Sequence, residues 1–153
     1  MATTLLALAV LSTGLYAGFM FAFAVGVMPG LKLLTDEQFS AAMRRINEKV
    51  PGPWFLLVFL GVVALPAVAL AVAVDGRTGT ARWLLAAGLA CAVVSHLVTV
   101  AGNVPLNSAL AAPAGRGDGA ARAAFETRWN RLHLVRTVVS TAAFALVTGS
   151  ALA

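Results

Sequence analysis

Apolar positions in this chain gather into four long runs, roughly 4–28, 53–74, 83–102 and 132–152, separated by polar links. The first two runs carry no charge. Each is about the 20 residues that a helix needs to cross a hydrocarbon core about 30 Å thick. Pro29-Gly30 predicts the end of the first run, and Asp75-Gly76-Arg77 a tight turn after the second. Pro66 lies inside the second run, where membrane helices tolerate proline as a kink.

The link between the first two runs has its own periodicity. Thr35-Asp36-Glu37-Gln38 reads as an N-cap with acids in the first turn and Gln at the capping-box position. Phe39, Met43, Ile46 and Val50 then recur at spacings of 4, 3 and 4, one apolar helical face. Residues 36–50 are therefore expected as an amphipathic helix on the membrane surface. Residues 111–119 are rich in Ala, Gly and Pro and predict an irregular stretch. From Ala120 a helix is expected that runs into the fourth span. The fold class is all-α: an integral membrane four-helix bundle, one domain over 1–153, with a surface helix between spans 1 and 2.

Composition removes the soluble alternatives. Of 153 residues, 60% are hydrophobic and 11% charged, against about 45–50% and about 25% in soluble domains. The net charge of +5 would suggest nucleic acid in a soluble protein. Here the basic residues sit in links, with no run interleaved with aromatics, so no nucleic-acid partner is expected. Lys32, Arg44, Arg45 and Lys49 lie in the first link and Arg116, Arg122, Arg128 and Arg131 in the third, against Arg77 and Arg82 in the second. Eight against two puts the first and third links in the cytoplasm and both termini outside. The Ala-, Gly-, Val- and Arg-rich composition suggests a bacterial inner membrane. Cys91 is the single cysteine, and no CxxC, HExxH, P-loop or dinucleotide motif is present.

Candidate chemistry gathers where spans 3 and 4 meet the third link. Glu126, Trp129, His133, Arg136 and Ser140, at spacings of 3, 4, 3 and 4, share one stripe, bordered by Asn130. Trp, His and Arg are common in interfacial belts. Arg136, however, lies inside the span, and intramembrane ionisable groups usually face a cavity. His96, Thr99 and Asn103 share a face of span 3, which Asn107 continues past Pro105. The run 102–107 reads as a broken helix end, where Asn side chains either satisfy freed backbone groups or hold a ligand's oxygens. His96 is equally a core histidine bonded to a neighbouring carbonyl. His96, His133 and Glu126 are the only plausible strong metal ligands, and no two have helical ligand spacing, so no metal site is assigned. Gly14-x-x-x-Gly18 permits close helix approach, within the chain or in a homodimer.

Asn103-Val104-Pro105-Leu106-Asn107, followed by Trp129-Asn130-x-x-His133-x-x-Arg136, resembles the anthrone oxygenase-like family. Pro29-Gly30-Leu31 and Ile46-Asn47 fit as well, and the likeness covers nearly the whole chain. These are small four-span membrane proteins, mostly without an assigned function; a few are associated with oxidising anthrones to anthraquinones. The resemblance implies an oxygenase without a tightly bound cofactor, using O2 as co-substrate on a lipophilic aromatic molecule in the bilayer. On residue chemistry, His133 is the candidate base and Arg136 the anion stabiliser. Asn103, Asn107, Asn130 and His96 are candidates for substrate contacts, Trp129 for ring stacking and Asn47 for closing the pocket. Two alternatives stay open: a non-enzymatic protein binding a lipophilic ligand, and a metal-dependent membrane oxidoreductase.

Overall fold

A computed structural model describes residues 2–72, 79–112 and 117–153 of the chain. The expected turn at Asp75-Gly76-Arg77 falls outside the described residues. Four stretches are long and apolar enough to cross a membrane: Thr3–Lys32, Pro53–Ala71, Gly79–Ala111 and Asp118–Leu152. No strand occurs among the described residues. The chain is an all-α membrane bundle.

The first span is α1 (Ala2–Ala22), a π turn (Phe23–Val27) and α2 (Met28–Lys32). The surface helix α3 (Asp36–Lys49) follows, opened by Thr35 with both reciprocal hydrogen bonds of a capping box to Gln38. The second span is α4 (Pro53–Ala71), which continues as helix through Pro66. The third is α5 (Gly79–Val98), a second π turn (Thr99–Asn103) and α6 (Val104–Ala111). The last is α7 (Asp118–Leu152), 35 residues without a break. At 1.5 Å per residue α7 is about 52 Å long, far more than the hydrocarbon core. Its first turns therefore overhang the bilayer beside α3.

Two expected helix ends are not ends. The helix passes through Pro29-Gly30 to Lys32, and through Gly102–Asn107 to Ala111. A proline ring clashes with the carbonyl four residues earlier and cannot donate to it. Those carbonyls belong to Val25 and Ala101, each in the middle of a π turn. The wider turn moves the carbonyl away from the ring and lets the helix continue.

Packing is a closed ring, α4 on α1, α1 on α7, α7 on α5 and α5 on α4. The α5–α7 seam is the most extensive and is built from small residues: Ala81, Gly88, Ala92 and Ser95 face Ser140, Ala143, Val147 and Ser150. Without a hydrophobic drive between helices in lipid, close approach and interhelical hydrogen bonds hold such seams. Ser150 Oγ donates to the Ala81 carbonyl at 2.8 Å, and Ser12 Oγ ties α1 to the Val58 carbonyl at 3.1 Å. Leu11, Leu15, Leu57, Leu60, Val138 and other large apolar side chains face outward, as lipid contact requires. Trp54 and Trp83 are exposed at the starts of α4 and α5, where antiparallel spans place them at opposite interfaces.

Arginines lock the surface helix. Arg44 on α3 meets Asp118 on α7 at 3.0 Å and donates to the Leu110 carbonyl at 2.9 Å. Arg122 on α7 pairs with Asp36 at 3.1 Å and Glu126 at 2.7 Å. It also donates to the Lys32 and Leu34 carbonyls left open where α2 ends, and lies 4.4 Å above the Phe39 ring. Beneath α3, Phe39, Met43, Met28, Leu110, Phe125 and Trp129 form one buried cluster. Tyr16, Met20, Val62, Ala92 and Ala143 form the next layer down.

A methyl group on Gly88 would stand 2.8 Å from Val147 Cγ2 and 3.2 Å from the Val147 backbone nitrogen, whereas one on Gly18 meets nothing within 4 Å. Gly88→Ala is expected to cost about 1–3 kcal/mol of overpacking, read as a lowered unfolding midpoint in detergent. Gly18→Ala should leave the midpoint equal or higher; equal responses would refute this seam.

Candidate active site

The polar residues meet between the two core layers, just below α3. α7 presents Trp129, His133 and Arg136 on one stripe, all buried. α1 contributes Tyr16 and the Met20 carbonyl from the turn before its π segment. The second π turn brings Thr99 and Asn103, both buried. Both π turns therefore flank the same site, a placement common for such turns.

Hydrogen-bond directions follow from donor capacity. Arg136 Nε donates to His133 Nδ1 at 3.0 Å. A guanidinium only donates, so Nδ1 is the bare nitrogen and the ring proton sits on Nε2. Nε2 donates to the Met20 carbonyl at 3.0 Å. Thr99 gives its hydroxyl hydrogen to the Ser95 carbonyl at 2.9 Å. Its oxygen then accepts from Tyr16 at 3.4 Å and from Arg136 Nη1 at 3.5 Å. Arg136 is 7% exposed, and among the described residues no carboxylate pairs with it. Its second terminal nitrogen has no protein partner among them.

Aromatic rings frame the pair. Trp129 lies one turn from both Phe125 and His133, stacked on them at centroid distances of 5.8 and 4.7 Å. Arg136 sits 5.1 Å over the Trp129 ring, and Phe23 meets His133 edge-on at 6.0 Å. Trp129 Nε1 donates to Asn107 Oδ1 at 2.8 Å, and Asn103 Nδ2 to the Trp129 carbonyl at 3.2 Å. Pro105 and its π turn thus hold both asparagines against α7.

A cavity of about 90 Å³ opens beside these groups. Arg136, Thr99, Asn107 and Trp129 line it from the bundle, and Asn47, Met43 and Ile46 from α3. Asn47 Nδ2 and Asn103 Oδ1 are buried without a partner among the described residues. Asn47, Asn107, Trp129 and Arg136 therefore converge on one space, with His133 immediately behind Arg136. His133 and Asn103 do not themselves line this cavity, and three further residues lie elsewhere. His96 contacts the Phe59 carbonyl at 2.6 Å and the Ala92 carbonyl at 3.0 Å, stacks on Phe59, and does not line the cavity. Asn130 lines a separate groove on the outer side of His133. Glu126, on the same stripe as His133, turns to Arg122 instead. Among the described residues no three His, Cys, Asp or Glu side chains gather as a metal site.

Sequence reasoning had no signal for the Met20 carbonyl, because a backbone acceptor has no residue signature. Thr99 was legible as a face-sharer of His96 and Asn103. Tyr16 was legible as a phenol in need of a partner.

Residues 54–146, from the start of α4 through most of α7, match the anthrone oxygenase family. The chain belongs to that family. The match includes Asn103, Asn107, Trp129, His133 and Arg136, while Met20 and Asn47 come from helices outside it. Family membership points to oxygenase chemistry. No curated protein and no solved structure matches the chain.

Asn47 tests whether the cavity is built for a ligand. A buried amide donor without an acceptor costs about 1–3 kcal/mol. Asn47→Leu is expected to raise the unfolding midpoint, by about 1 kcal/mol of stability. A lowered midpoint would show that the amide serves the fold.

Proposed function

We propose that this protein is a membrane oxygenase that oxidises a lipophilic phenol or anthrone-like substrate with O2, by base-assisted chemistry and without a resident cofactor. The observation that carries this reading is Arg136: a buried guanidinium, facing a cavity, with no carboxylate partner among the described residues. A permanent cation in such surroundings is costly unless an anion is expected there. A phenolate or enolate oxygen supplies that anion. Bound to it, Arg136 would turn off His133 Nδ1 and open that nitrogen, which does not line the cavity while Arg136 covers it, to the acidic CH2 of the substrate, whose proton it takes. The resulting carbanion passes one electron to O2, and the two radicals combine into a C–O bond. The peroxide takes back the proton from His133. Loss of water then leaves a carbonyl, so CH2 and O2 become C=O and H2O. Asn107 Nδ2 and Asn47 Nδ2 would hold further substrate oxygens.

The cavity is smaller than the 300 Å³ or more of typical small-molecule sites. It takes O2 or the oxygen-bearing edge of a ring system, and a full three-ring substrate requires α3 to shift outward. Both O2 and polycyclic phenols partition into lipid, which accounts for the membrane setting. The reading keeps the basic links and α3 on the cytoplasmic side of a bacterial inner membrane. One observation favours a second reading: both His133 nitrogens are already engaged, which would suit a ligand-binding protein without proton transfer.

The test is O2 uptake by purified protein given a simple anthrone, before and after chelator treatment, with metal content recorded. Uptake is expected to survive the chelator and to fall about 10²–10⁴-fold in His133→Ala, with a comparable loss in Arg136→Met. Binding that survives in His133→Ala with no uptake in the wild type would favour the second reading. Uptake restored only by one metal would overturn the cofactor-free step.

A further inference from the structure

On the far side of His133 from Arg136's cavity, a second space of about 320 Å³ opens between the first span and α7. Its apolar wall is Ala24, Met28 and Leu134, and Leu134 is 60% exposed, so the groove faces where lipid must lie. Its polar wall is Lys32, Asn130 and the edge of His133. Glu126 also lines it, but its carboxylate is held by Arg122 at 2.7 Å. Lys32 is exposed, and its ammonium has no ion pair among the described residues. Among the described residues, Lys32 is therefore the one lining residue of the groove with an unpaired positive charge, and Glu126 shares the single charge of Arg122 with Asp36.

Position adds a second argument. Lys32 ends the first span, immediately before surface helix α3, so it sits at headgroup depth. Below it the groove is apolar. A groove between membrane helices that opens on lipid is filled by lipid, and an unpaired ammonium at its mouth selects a negative headgroup. Asn130 offers a neutral hydrogen-bond donor at the same level.

We propose that this groove is a binding site for one anionic glycerophospholipid. Its phosphate pairs with Lys32, Asn130 donates to a headgroup oxygen, and an acyl chain runs along Ala24, Met28 and Leu134. The bound lipid lies against the part of His133 that lines the groove and adds a second layer between the buried pair and the bilayer. This site is separate from the cavity of Arg136 and does not depend on the oxygenase reading.

The experiment is native mass spectrometry of protein released from bilayers of phosphatidylcholine with phosphatidylglycerol, with unfolding midpoints measured in the same two lipids. Wild type is expected to retain phosphatidylglycerol in preference to phosphatidylcholine and to melt higher with it. Lys32→Gln should lower that retention about fivefold. Arg45→Gln removes an exposed charge of α3 in the same link, outside the groove, and should retain the lipid as wild type does. Ala24→Phe fills the groove with all charges intact and should expel the lipid. Equal retention of the two lipids by wild type would overturn the proposal. So would equal losses in Lys32→Gln and Arg45→Gln, which mean diffuse surface attraction, or undiminished retention in Ala24→Phe. None of these readouts uses O2 or an anthrone, so the outcome stands apart from that of the activity test.

Discussion

The hydrogen bond from Arg136 Nε to His133 Nδ1 organises the interior of the bundle. It selects the histidine tautomer, because the nitrogen facing a guanidinium cannot carry the proton. The remaining N–H then reaches across to the Met20 carbonyl and ties α7 to the first span. The same guanidinium touches Thr99 and so includes the third span. Three of the four spans are registered against each other by one buried cation. An apolar seam would register them at lower electrostatic cost. On the function proposed above, the charge serves chemistry at the cavity, which an apolar seam could not.

That arrangement depends on the two π turns. Each ends two residues before a proline, and each widens the helix at the depth of the site. Pro29 and Pro105 would otherwise break their helices at the level where Lys32 and Asn107 are needed. The same helix that passes Thr99 upward as a hydroxyl acceptor delivers Asn103 and Asn107 to α7. Proline here fixes where the helix must loosen. The loosening sets which faces of the first and third spans look inward.

The spans, the surface helix and the α7 stripe were legible because their periodicities are imposed by lipid on one side and a core on the other. The capping box at Thr35 was legible because it is local. The continuation past Pro29 and Pro105 was not, since proline signals a break and nothing in the local pattern announces a compensating π turn. The roles of Arg44 and Arg122 were also hidden. Counted as topology charges, they turn out to hold α3 onto α7 through carboxylates and open carbonyls. Glu126 shares the helical stripe of His133, yet a stripe records only direction from the axis. Arg122, one turn earlier, takes its carboxylate. His96 meets the Ala92 and Phe59 carbonyls, the core-histidine alternative that its place in span 3 had offered.

The arginine clamps also bear on how a substrate could reach Arg136. α3 covers the cavity with Met43, Ile46 and Asn47, and a ring system larger than the cavity must move it. Thr35, Arg44 and Arg122 hold α3 by polar contacts at its first turn, its middle and its junction with α2. Contacts that are partly exposed are individually weak, and Arg44 and Asp118 are each about a third exposed. The last turn of α3, which carries Asn47, has no such ion pair among the described residues, although Arg44 one turn earlier is held by Asp118. On the function proposed above, admitting a larger ring system would displace the last turn of α3 more readily than the turns held by Arg44 and Arg122. That turn lies next to Pro51 and Phe55, which line the same cavity. Entry would then lie between α3 and the start of α4, at the depth where exposed Trp54 marks the interface. A lipophilic phenol partitions to that depth, its ring in hydrocarbon and its oxygen toward water.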